Sequence, residues 1–202
     1  MKIGPKYKIA RRLGAPIFEK TQTQKFAASE QKRSKGRRMV RPRTDFALQM
    51  QEKQKARFSY GVTNKQFTNY VKSTFESKGA EKAQVLFAKL ETRLDNVVYR
   101  AGFAPTRRAA RQVVSHGHIK VNNKKITVPS HTVSVGDEIT VKDSSAVKGM
   151  FSTREEEMTN HTAPSWLKSN TKLKKISVEG EPKIDQQELL FDLNAVLEFY
   201  SR

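Results

Sequence analysis

Residues 93–141 read RLDNVVYRAGFAPTRRAARQVVSHGHIKVNNKKITVPSHTVSVGDEITV, and they decide the fold class because their hydrophobic period changes from helical to alternating. Thr106 stands where its hydroxyl can cap the orphan amides of a helix, and Ala109, Ala110, Val113 and Val114 then share one face. Gly117 is placed to stop that helix. Beyond it, Ile119 and Val121, Ile126 and Val128, Val133 and Val135, and Ile139 and Val141 alternate as short strands. Asn122 and Asn123 suit a tight turn of positive φ, and Gly136 and Asp137 suit the next turn. The expected unit is two short amphipathic helices packed on a small antiparallel sheet. Opposite the apolar stripe, Arg107, Arg108 and Arg111 are spaced to bring three guanidiniums together on one exposed surface, each able to fork onto phosphate oxygens. The same residues fit a plain solvated helix face, so the rest of the chain must decide.

Charge decides for an anion. The chain holds 39 Lys and Arg against 20 Asp and Glu, a net charge of +19, which attracts polyanions. Residues 1 to 44 carry 14 basic and 2 acidic side chains, whereas 143 to 202 carry 8 and 10, so the binding surface belongs to the first three quarters. A membrane surface would require bulky apolar residues opposite the lysines, and the most basic region has few. Nucleic acid is therefore the expected partner. Hydrophobic residues are 36% of the chain, enough for a modest core only. Cysteine is absent, which excludes disulfides and cysteine-ligated metal and fits a reducing compartment. There is no apolar run of membrane-spanning length and no apolar signal region, so a cytoplasmic location without a membrane anchor is expected.

Outward from the opening segment, residues 1–43 are basic and interrupted by Gly and Pro, and are expected to form an extended arm that orders mainly on a partner. Ile9, Leu13, Ile17 and Phe18 suggest one short anchoring turn. Thr44 or Asp45 can cap a helix whose Phe46, Ala47, Met50 and Phe58 make a partial apolar stripe. Thr63 and Gln66 form a capping box ahead of Phe67, Tyr70, Val71 and Phe75. A third helix is expected from Glu81 to Ala101, ended by Gly102. Residues 143–165 read as a polar linker, and the apolar tail from Leu189 to Tyr200 should fold back. The predicted class is α+β: a mainly helical domain (44–92 and 143–202) with an inserted small module (93–142) and a basic arm (1–43).

The words RLDNVVYRAGF, TRRAARQVVSHGHI and VSVGDEITV resemble the RNA-binding module of the S4 family of small-subunit ribosomal proteins. GPKYKIARRLG, DFALQMQEKQKARFSYGV, KQFTNYV, PSWL and EFYSR extend the resemblance, in order, over most of the chain. The resemblance implies a structural protein, not an enzyme, that binds small-subunit (16S) rRNA at a multi-helix junction, nucleates assembly and contributes to decoding accuracy. It implies neighbouring small-subunit proteins as partners and no free homo-oligomer. Some relatives carry zinc-binding cysteines in the arm; here Tyr7 stands in that context, so the zinc-free branch, with no cofactor, is the one resembled.

The RNA contacts expected are Arg93, Arg100, Arg107, Arg108, Arg111, His116, His118 and Lys120 in the module, and Lys53, Lys55, Arg57 and Lys65 on the helical domain. Lys2, Lys6, Lys8, Arg11 and Arg12 add phosphate contacts from the arm, and the resemblance further places Arg37, Arg38, Arg41 and Arg43 near the path by which messenger RNA enters. The competing reading is an RNA-modifying enzyme, or a stress-related RNA-binding factor, that shares the module. Arg93, Leu94 and Asp95 resemble the catalytic triplet of pseudouridine synthases, but in a continuous helix Asp95 falls beside the exposed face, where pairing with an arginine is the simpler role. His116 and His118 lack a third ligand nearby for a metal, and Trp166 reads as a packing anchor.

Overall fold

The computed structural model describes residues 3–34, 44–77, 79, 81–146, 151, 161–170, 173–185 and 189–201. The fold is α+β and divides into two compact units: Met1–Leu86 with Asp185–Arg202, and Phe87–Ile184.

In the first unit the described part of the arm, residues 3–34, is helical rather than extended. Helix α1 (Lys6–Leu13) ends at Gly14 in the left-handed region, a 3-10 turn spans Glu19–Thr21, and α2 (Gln24–Ser34) follows. Ala10, Leu13, Ile17, Phe18 and Phe26 bury one another in a small core. Tyr7 stacks on Phe26 with centroids 5.6 Å apart, and Arg11 pairs with Glu30 at 2.7 Å. A helical hairpin thus lets a few apolar residues shield each other, which a single extended strand does not. Lys2, Arg37, Arg38, Arg41 and Arg43 lie outside the described residues.

Helix α3 (Asp45–Tyr60) begins at Thr44, whose hydroxyl accepts from the Ala47 amide at 3.3 Å. Its buried stripe differs from the expected one: Phe46 and Met50 are exposed, while Gln49, Lys53, Ala56 and Tyr60 are buried. The cause is the C-terminal helix, here α9 (Leu193–Ser201), which packs on that side. Gln49 Nε2 donates to Glu198 Oε2 at 2.9 Å, and the Lys53 ammonium sits 4.4 Å and 4.9 Å from the Phe199 and Tyr200 ring centroids. Long polar side chains bury their stems there, although Gln49 Oε1 is buried without a hydrogen-bond partner. Helix α4 (Asn64–Phe75) starts with the Thr63–Gln66 capping box and buries Phe67 and Val71.

The division between units falls inside α5 (Lys82–Glu91). The expected single helix to Ala101 is broken: α5 stops at Glu91, Arg93 is extended (φ −65°, ψ 134°), and α6 runs Leu94–Arg100. The break has a tertiary cause. The Leu94 and Asp95 amides donate to the carbonyls of His131 and Pro129 at 2.8 and 3.1 Å, and the Val133 amide donates to Thr92 O at 2.9 Å. A later loop therefore takes up donors that a continuous helix would have used internally. Gly102 then turns the chain at φ +82°.

Helix α7 (Arg107–Ser115) is capped by Thr106, whose hydroxyl accepts from the Ala109 amide at 3.0 Å. Ala110, Val113 and Val114 are buried, and Ala109 is half-buried against the same core. Strand β1 (Ile119–Val121) turns through Asn122 and Asn123, at φ +48° and +64°, into β2 (Lys124–Lys125). Residues 126–128 and 133–135 are not strands; Val128 and Val135 are 54% and 55% exposed, because the chain there leaves the sheet to cap α6. After β3 (Glu138–Val141) comes the short α8 (Asp143–Ala146).

Two further strands were not anticipated. β4 (Leu167–Asn170) and β5 (Lys175–Val178) complete an antiparallel sheet of order β2-β1-β3-β5-β4, with Ile139 opposite Ile176. Residues expected to serve as linker and helical-domain tail thus extend the module's sheet. Trp166, Leu167, Ile176 and Val178 join Leu94, Val97, Phe103, Val114 and Ile119 in one core.

Candidate nucleic-acid interface

The three arginines of α7, Arg107, Arg108 and Arg111, do not form the open trio expected of them. Arg108 is exposed and makes no ion pair among the described residues. Arg107 and Arg111 are half-buried and are held by acids at the base of α6. Asp95 is 2% exposed and accepts from Arg93 Nε at 3.0 Å and Nη2 at 2.8 Å, and from Arg111 Nε at 2.9 Å and Nη2 at 2.7 Å. Glu91, 1% exposed, accepts from Arg100 Nε at 2.9 Å and lies 4.0 Å from Arg107 Nη2. Asn96 braces the Glu91 site: its amide donates to Glu91 Oε2 at 2.9 Å, and its carbonyl accepts from Arg107 Nε at 2.7 Å. The Arg107 guanidinium also lies 4.5 Å from the Tyr99 ring centroid.

Two sequence expectations change here. Arg93 is 2% exposed and turned inward onto Asp95, so it is a buried support rather than a surface contact. Asp95 does pair with arginine, but in the interior, since the break after Glu91 rotates α6 away from the register of a continuous helix. Its carboxylate accepts from two guanidiniums. Glu91 and Asn96 were the residues sequence reasoning passed over as anchors, whereas Asp95 was given an arginine partner at the surface. Their signal is the ratio of five arginines to two acids between positions 91 and 111.

Around this cluster, His116 is exposed, with its ring centroid 6.0 Å from that of His118. His118 Nδ1 lies 2.9 Å from Ser145 Oγ, a structural contact rather than a metal ligation. No group of three metal-ligating side chains occurs among the described residues. Lys120 reaches Asp143 at 3.2 Å; that hydrogen bond, together with the lysine's charge, lowers the Asp143 carboxyl from its ordinary value. Lys124 and Lys125 on β2 are exposed and add positive charge that the sequence reading did not single out.

The first unit sorts its basic residues as sharply. Lys53 is buried under Phe199 and Tyr200 and is not at the surface. Lys55 is tied to Glu52 at 2.6 Å, and Arg11 to Glu30. Lys8, Arg12 and Lys65 are exposed, and Lys6 is half-buried beside Phe18. Arg12 and Arg57 border a groove of about 570 Å³ between α1 and α3, floored by Ile9, Leu13, Met50 and Phe58. Burial lowers the Arg57 guanidinium from its ordinary value, with Tyr200 opposing. No helix of the described residues is long and apolar enough to cross a membrane.

Comparison with known proteins agrees with this geometry. The family model "Ribosomal protein S4/S9 N-terminal domain" matches residues 1–91, and the "S4 domain" model matches residues 92–139. The small ribosomal subunit protein uS4 of Roseiflexus castenholzii is 42% identical, covering 99% of this chain and 98% of that protein. The uS4 of Nocardia farcinica is 45% identical over 79% of each chain, and that of Persephonella marina 37% identical over 98% of each. Together with the basic module and its helical partner unit, these matches show that the chain belongs to the uS4 family of small ribosomal subunit proteins.

Proposed function

We propose that this chain is a structural constituent of the small ribosomal subunit that binds small-subunit rRNA directly. The observation that carries the reading is the set of half-exposed arginines on α6 and α7, anchored to buried acids. Four guanidiniums against two carboxylates leave that cluster two positive charges in excess, which a phosphate backbone would neutralise. RNA contacts are assigned to Arg100, Arg107, Arg108, Arg111, His116, Lys120, Lys124 and Lys125 on the module and to Lys6, Lys8, Arg12, Arg57 and Lys65 on the helical unit. Arg93 and Lys53 are withdrawn from that set on burial. These contacts come from several elements and read folded RNA by phosphate position more than by base sequence.

The finer reading follows from the family. The RNA is the 16S species at a multi-helix junction, binding occurs early in assembly, and contacts with neighbouring small-subunit proteins influence decoding accuracy in the cytoplasmic ribosome. The family is structural rather than catalytic. Sedimentation of lysate tests the reading: the chain should co-migrate with the small subunit at low salt. A chain that stays in the soluble fraction at low salt refutes it.

A further inference from the structure

Glu91 and Asp95 occupy positions where an apolar residue would be the simpler choice. A carboxylate taken out of water requires compensation, and well-packed apolar replacements of buried ion pairs are often as stable or more so. Both acids nevertheless stand almost wholly buried at the α5–α6 break, with Asn96 bonded to Glu91. Each acid holds arginines from two different places in the chain: Asp95 holds Arg93 and Arg111, and Glu91 holds Arg100 and approaches Arg107. Arg100, Arg107 and Arg111 keep 21%, 20% and 29% of their side chains exposed, so each anchored side chain stays partly open to solvent.

We propose that Glu91, braced by Asn96, and Asp95 are positioning residues that make Arg100, Arg107 and Arg111 a rigid reader of phosphate spacing in folded RNA. The inference rests on the rRNA-binding reading above. A mobile surface arginine loses rotamer freedom when it grips a phosphate, whereas an arginine already fixed has lost it during folding. Fixed guanidiniums gain most on RNA whose phosphates match their spacing and gain nothing on RNA whose phosphates do not. The acids therefore act in two opposed senses. They lower attraction to any polyanion by subtracting charge, and they raise discrimination by fixing geometry.

The opposed signs supply the test. Binding of the full chain is measured over a salt series to a small-subunit rRNA fragment containing the junction and to a duplex RNA of equal length. Arg111→Lys keeps the charge but cannot keep the two-pronged hold on Asp95. It should lose about tenfold on the junction RNA, the equivalent of one charged hydrogen bond, and clearly less on the duplex, with both salt slopes kept because the charge is kept. Glu91→Gln, nearly isosteric, should strengthen duplex binding and weaken junction binding. Equal strengthening of both RNAs by Glu91→Gln, or an unchanged junction-to-duplex ratio in Arg111→Lys, overturns the proposal. If thermal melting shows Glu91→Gln to be misfolded, the half-exposed Arg111→Lys decides alone. A wild-type chain that binds neither RNA overturns the underlying function; one that binds both without preference overturns this inference.

Discussion

Truncating Lys53 to Ala should cost the helical unit about 2–3 kcal/mol while leaving RNA binding untouched. The side chain is 9% exposed, with its ammonium over the Phe199 and Tyr200 rings. Removing three buried methylenes forfeits about 0.8 kcal/mol each. The cation–π contacts add roughly 1 kcal/mol, and relief from burying an ammonium returns part of the total. Lys53→Met retains the apolar stem and should cost about 1 kcal/mol or less. Urea unfolding followed by circular dichroism orders the series wild type, Met, Ala, and each kcal/mol corresponds to about 4–8 °C in melting temperature for a unit of this size. The salt slope of RNA binding should match wild type in both variants. A slope lower by about one, with stability changed by less than about 0.5 kcal/mol, would mean that the ammonium meets phosphate and that its burial against α9 is unimportant.

Arg108→Ala, at an exposed position outside the ion-pair cluster, should reduce the RNA salt slope by about 0.7–0.9 without altering the melting temperature, as titration and scanning calorimetry would show. Gly117→Ala should destabilise the sheet-bearing unit by about 1 kcal/mol in equilibrium unfolding. The residue sits at φ +72°, and its new methyl group would displace the flexible Lys125 side chain, a lesser effect than the backbone strain. The Asp143 carboxyl, lowered first by its hydrogen bond from Lys120, should titrate below an ordinary aspartate in carbon-detected NMR, and Lys120→Ala should raise it toward the ordinary value. Because its folded value is depressed, any stability it adds is present above the unfolded carboxyl's pKa and is lost as pH falls through the folded value. The carboxylate is 95% exposed, so the effect belongs to the NMR shift and not to the unfolding curve.

Local signals were legible. Thr44, Thr63 with Gln66, and Thr106 each place a hydroxyl three residues before the amide it caps, and Gly102, Gly117, Asn122 and Asn123 take the positive φ values their residue types permit. What escaped was set at a distance. The break at Thr92–Arg93 depends on carbonyls of residues 129 and 131, which no helical window around Leu94 contains. The short β4 and β5 strands carry only Leu167, Ile176 and Val178 as buried aliphatics, and pairing with β3 completes their environment. Counting apolar residues also mislocated the buried face of α3, since Gln49 and Lys53 bury stems that hydropathy scores as polar. For the candidate site, the charge was readable but its pairing was not: Arg107 and Arg111 meet Glu91 and Asp95 only once α5, α6 and α7 have assembled.

The helical unit is assembled from two stretches of chain that the sheet-bearing unit separates. During synthesis the buried side of α3 emerges well before α9, its cover, and at about 5–20 residues per second the interval lasts many seconds. All five strands of the other unit are complete by Val178, before α9 exists, so the unit begun second is the first able to close. A face that must wait in this way would be a hazard if it were built from leucine and phenylalanine. Gln49 and Lys53 let water solvate the nascent helix until Glu198, Phe199 and Tyr200 arrive to take its place.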